Sequence, residues 1–189
     1  KAGNGNEYQL YTCEDCSFPD AAYNPKMSAE REKEADEMRE KLVAAREKKQ
    51  LDEADQIAQE GLKKGYVLFY NELATTAGER ENVPGKPPIP FRESQEKEWM
   101  IKGAEHGSNA SVETLFRLFN GISSQKGSPR SDIMEAWFWG YIGITSGIIL
   151  DDDADWLTTK KRITPKEKAD TLARANEWMK QHNWPAITR

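Results

Sequence analysis

The side chains with the most chemical potential in this 189-residue chain are few: two cysteines, Cys13 and Cys16; two histidines, His106 and His182; and an acidic run, Asp151, Asp152, Asp153 and Asp155. Cys13 and Cys16 form a single CxxC. Such a pair reads as a disulfide in an oxidising compartment, as two free thiols, or as half of a metal site. Zinc would need two further ligands, and the two histidines are far apart in sequence, so no metal is expected. The acidic run sets oxygens at alternate positions like the opening of an EF-hand loop, but Trp156 stands where that loop needs Gly and Arg162 where it needs a bidentate Glu. Two readings of the run remain: capping of a short helix, whose N-terminal dipole favours negative charge, or an anionic patch for a basic partner. No glycine-rich phosphate loop, serine elbow or histidine-centred triad is present. The expectation is therefore a chain that is not an enzyme and takes no cofactor.

The elements that would position these groups form a repeat. Ile57, Trp99, Trp139 and Trp178 occupy the same place in four similar segments spaced by about 40 residues, the length of two antiparallel helices with their turns. Within each segment apolar or small residues recur at i, i+3, i+4 and i+7, the stripe of an amphipathic helix. These are the second helices of helical pairs. The first helices are expected at 28–48, 66–76 and 110–120, and the one before the last copy is short or missing. Gly65 and Gly107 are expected to end helices in the left-handed conformation. Asp52, Ser94, Ser131 and Thr164 read as N-caps, the last followed by Pro165 at the first helical position. The prolines at 84, 87, 88 and 90 make 78–92 a surface loop, and 150–164 is the second long connection. The domain division is an N-terminal helix and linker over 1–27 and a single helical array over 28–189.

Composition narrows the partner. A formal charge of -5, from 27 basic and 32 acidic residues, carries no basic footprint for nucleic acid. The longest apolar stretch, 137–150, is broken by Gly140, Gly143 and Gly147 and is too short to cross a bilayer. The opening at Lys1, without Met or an apolar signal core, is read as a removed leader or a cut from a longer protein. The Glu/Lys-rich stretch 29–50 reads as the solvated face of a helix. Of the six tryptophans, Trp99, Trp139 and Trp178 fall on the repeat frame and read as core, whereas Trp137 and Trp184 lie off it and read as interface candidates.

The run Trp99-Met100-Ile101-Lys102-Gly103-Ala104-Glu105-His106-Gly107-Ser108-Asn109-Ala110 resembles the junction between Sel-like repeats, longer-period relatives of tetratricopeptide repeats, and 132–147 resembles it too. The likeness covers roughly 50–147. It implies an all-α solenoid of tetratricopeptide-like hairpins that binds another protein. Degenerate bacterial members of that family include immunity proteins that neutralise secreted effectors, several of them periplasmic lipases. The resemblance therefore implies an inhibitor of a cognate secreted toxin such as a type VI lipase effector, placed in the periplasm with the cytoplasm as the alternative; a non-inhibitory scaffold or adaptor is the second function and an enzyme the third. Contacts to the partner are expected from first-helix positions Tyr70, Asn71, Glu113, Arg117 and Asn120. Arg92, Trp137 and the loop residues Asp151, Asp152, Asp153 and Asp155 complete the set.

Overall fold

In the computed structural model, residues 28–125 and 127–184 are described; the CxxC and the N-terminal helix expected over 1–27 lie outside them. The described residues form eight α-helices: α1 (Ala29–Glu47), α2 (Leu51–Lys63), α3 (Phe69–Glu81), α4 (Gln95–Glu105), α5 (Asn109–Ser123), α6 (Arg130–Thr145), α7 (Ala154–Arg162) and α8 (Pro165–Gln181). Among the described residues every regular element is a helix, in keeping with the periodicity. From α1 to α7 each helix packs on its successor, α8 lies against α6, and α3 touches α5 as α5 touches α7.

Helix ends repeat along the chain. Gly65, Gly107 and Gly147 take φ of 83°, 91° and 73° just beyond α2, α4 and α6. The amide that follows each one donates back to the fifth residue before it: Tyr66 to Gly61, Ser108 to Gly103 and Ile148 to Gly143. This double-turn termination satisfies carbonyls that the helix leaves open, and glycine adopts it without a Cβ penalty. α8 ends the same way at Asn183, φ 49°, with Trp184 donating to Met179. A second use of glycine sits one turn earlier. A Cβ at Gly61 would meet the Phe69 ring, one at Gly103 the Ser111 hydroxyl, and one at Gly143 the Ile149 side chain. Each second helix thus lets the following segment approach its backbone.

Two expected caps hold and two shift. Ser94 accepts from Lys97 N at 3.1 Å. Thr164 and Glu167 close a full capping box ahead of Pro165. α2 instead starts at Leu51, because the left-handed Lys49 turns α1 directly into it and leaves Asp52 inside the first turn. α6 starts at Arg130 after Pro129, held extended at φ -61° and ψ 151°, so Ser131 is already helical. The Pro-rich loop is also shorter than expected: Gly78 to Glu81 complete α3, and Phe91–Glu93 form a 3-10 turn. The helix expected to be short or missing before the last copy is α7, which is short.

The capping box makes a pH prediction. The Arg130 guanidinium, foremost, and the Thr164 amide and hydroxyl hold the Glu167 carboxyl down from 4.5 to about 2. A lowered folded value contributes stability above the ordinary carboxylate value, and that contribution is lost as pH falls through about 2. Side-chain NMR titration is expected to place the Glu167 midpoint near 2 and to return it toward the ordinary range in Arg130→Ala. An ordinary midpoint in the unaltered chain would contradict the box.

The buried side chains form two clusters. One joins α1, α2 and α3 through Leu42, Ala54, Ala58, Tyr66, Phe69 and Leu73. The other runs from α3 to α8 around Phe116, Trp137, Trp139, Ile142, Trp156 and Met179, and Trp99 borders both. Trp139 is buried, and Trp99 and Trp178 are partly buried against the core. Trp137 and Trp184 contradict the expectation of exposed interface residues, for both are buried. α6 is enclosed by α5, α7 and α8, so it buries residues all round rather than along one stripe. Trp184 folds back after α8, where its indole N–H donates to the Ser146 hydroxyl.

Candidate partner-binding surface

The expected contact residues divide into those that are buried or bonded between helices and those that keep solvent exposure. Arg117 on α5 reaches across to the start of α7. There its guanidinium donates to Asp153 Oδ1 at 2.9 Å, Asp153 Oδ2 at 2.7 Å and Asp155 Oδ2 at 2.8 Å, with Glu113 at 3.5 Å one turn back. Asp153 also caps α7, accepting from Asp155 N and Trp156 N at 3.0 Å each. Arg117 beside Asp153 lowers the carboxyl's pKa, and the same pairing raises the guanidinium's. The sequence reading brought these four residues into one set as partner contacts, and the structure brings them together as one internal cluster. Charge-assisted, forked bonds of this kind fix geometry as well as charge. Asp153→Ala removes both cap and fork, and is expected to cost about 1–3 kcal/mol in urea denaturation; a loss below a few tenths would make the run a mere surface patch.

Deeper in the same seam, Asn120 is buried and its Oδ1 accepts from Thr159 Oγ1 at 2.9 Å. It is therefore a helix-joining residue and not an exposed contact, and the buried Trp137 is likewise unavailable to a partner. Arg92 donates to Asp132 Oδ2 at 3.2 Å. Asn71 accepts from the Ser111 hydroxyl. Tyr70 is half-buried and stacks on His106 with centroids 5.0 Å apart; burial, aided by Glu105, raises its phenol pKa. Asp151 and Asp152 stay exposed, flanked by Leu150 at 65% exposure and Leu157 on the outside of α7.

Six of the polar bonds between segments share a register. Asn71–Ser111, Asn120–Thr159, Ser123–Arg162, Arg92–Asp132, Ser146–Trp184 and Arg117–Asp153 each join residues 36 to 40 apart. Their separations are close to the spacing of the similar sequence segments. The two histidines are helix ends: Nδ1 of each sits 2.8 Å from the carbonyl four residues earlier, Lys102 and Trp178, and His182 Nε2 lies 3.9 Å from Glu105. Among the described residues no group of three or more His, Cys, Asp or Glu is arranged to hold a metal ion. An open polar depression of about 350 Å³ lies beside Lys49, Gln50, Asp52 and Arg80 at the α1–α2 turn, away from the α5–α7 seam.

One polar site escaped the sequence reading. Glu72 on α3 is buried; Arg39 Nε of α1 donates to its Oε1 at 2.7 Å, and Arg46 Nη2 of α1 forms an ion pair with its Oε2 at 2.9 Å. Its signal was available: Glu72 shares the i, i+3, i+4, i+7 stripe of Phe69, Leu73 and Thr76, a carboxylate on an apolar face. Comparison with protein-family models, curated proteins and solved structures gives no match for this chain.

Proposed function

We propose that this chain is a protein-binding helical-repeat module, a solenoid of Sel-like hairpins, and in its most concrete form a periplasmic immunity protein that inhibits a cognate secreted toxin such as a type VI lipase effector. The observation that carries the reading is the set of polar bonds between residues 36 to 40 apart. It braces the row α3, α5 and α7 while Tyr70, Glu113, Leu150, Asp151, Asp152 and Leu157 keep solvent exposure. The repeated helix ends at Gly65, Gly107, Gly147 and Asn183 support a stack of like units. A braced array presents its surface with little ordering to lose on binding. The exposed carboxylates Asp151 and Asp152 suit a basic partner surface, steering its approach.

Co-expression with any secreted toxin found encoded beside this gene tests the reading. Protection of the cells is expected, and Asp151→Lys/Asp152→Lys should weaken protection while helical circular dichroism persists. Binding without protection would favour the scaffold or adaptor instead, and no binding would remove both. Asp153 is left out of this variant, since its carboxylate holds α7 in place.

A further inference from the structure

The connection between α3 and α4 presents a second kind of surface. Residues 82–90 are all exposed, with Val83 at 41% and Ile89 at 45%. Both ends of the connection are nevertheless pinned. Asn82 donates its backbone amide and its Nδ2 to the Gly78 carbonyl at 3.0 and 2.8 Å. Gln95 N donates to Glu81 Oε1 at 2.8 Å across the base of the loop. Lys86 N donates to Val83 O at 3.1 Å, closing a turn over Pro84 and Gly85. At the far end Phe91 packs edge-on against Phe119 at 5.4 Å, and Glu93 N donates to Pro90 O at 2.8 Å.

Between these anchors lies Lys86-Pro87-Pro88-Ile89-Pro90. Each proline ring sets its own φ near -65°, and each residue before a proline is driven toward extended backbone. Lys86, Pro87 and Ile89 all precede prolines, so covalent constraint alone biases the run to polyproline II. Pro90, at φ -58° and ψ 134°, lies in that region. With three residues per turn, Pro87 and Pro90 share one edge of such a helix, and Lys86 and Ile89 share the next. Two X-Pro pairs therefore stand side by side. Basic residues flank them: Lys86 is exposed, and Arg92, although bonded to Asp132, keeps 41% of its side chain in solvent.

We propose that Pro87–Pro90 is a docking ligand for a protein domain that recognises polyproline II, one with a groove of aromatic rings and an acidic rim. The rings would take the two X-Pro pairs, and the rim would meet Lys86 and Arg92. Pinning at both ends removes much of the ordering cost that a free proline-rich peptide carries. The proposal is independent of effector inhibition, because it uses the outer loop and none of the α5–α7 seam.

Isothermal titration of the full chain with two purified probes, an SH3 domain and a WW domain of PxxP specificity, tests it. Saturable binding to one of them is expected, weakened by about tenfold or more in the double variant Pro87→Ala/Pro90→Ala. Thermal melting of that variant should match the unaltered chain, since neither proline packs in the core. Ile89→Glu leaves every proline in place and is expected to lose binding equally, so a folding defect in the double variant would not decide the matter. Failure of both probes to bind, or binding by Ile89→Glu as tight as that of the unaltered chain, would overturn the proposal.

Discussion

Trp137→Ala is expected to lower the unfolding free energy by about 3–5 kcal/mol, the range for truncating a large buried aromatic. The ring is 2% exposed, stacked on Tyr141 at 5.1 Å and 9°, and 5.8 Å from Trp156. Removing it opens a void where α6 meets α7. The void also loosens Trp156, whose ring fills the space above Gly140. Trp137→Phe is expected to recover the greater part of the loss, because the indole N–H has no hydrogen-bond partner among the described residues to give up. Urea denaturation checks both. A midpoint shift for Trp137→Ala worth less than about 1 kcal/mol would put the ring at the surface.

Glu72→Ala is expected to cost about 2–4 kcal/mol, and for an electrostatic reason rather than a packing one. The carboxylate is the counter-charge of Arg46, whose side chain is 13% exposed and whose Nη1 already lacks a partner. Without Glu72 the guanidinium keeps, among the described residues, only Glu79 at 4.0 Å as an ion-pair partner. Arg39 is half in solvent and is screened there, which places the expected cost toward the lower side of the range for breaking a buried pair. The matching experiment replaces both partners. Glu72→Met with Arg46→Leu should be markedly more stable than Glu72→Ala, since no charge is left stranded. If the double replacement is instead as unstable as the single one, the cost belongs to packing and the ion cluster contributes little.

The two variants mark where sequence reading reached and where it stopped. Along α2 and α4 the repeat frame put Ile57 and Trp99 against the core, where both are partly buried, because each helix also has a solvent face. Along α6 the stripe disappears. Ile133, Ala136, Trp137, Phe138, Trp139 and Ile142 are all buried, and a helix covered on several sides has no period to read. Trp137 was misplaced for that reason. The acidic run was legible in part: a cap was one of its two readings, and Asp153 is that cap. That Arg117 would lie against it was not legible, because the bond joins residues 36 apart.

Sequence alone determined the helical content, the spacing of about 40 residues, and the helix ends at Gly65, Gly107, Ser94 and Thr164-Pro165. Each helix end is set by bonds among residues at most five apart, so local chemistry suffices there. Tertiary structure alone decided which charged and aromatic side chains remain available to a partner. Arg117, Asp153, Asn120 and Trp137 have the composition of an interface, yet their neighbours on other helices use them up, whereas the side chains of Leu150 and Asp152 stay exposed. Availability depends on how many segments converge on a residue, and convergence is a property of packing that no stretch of the chain carries by itself.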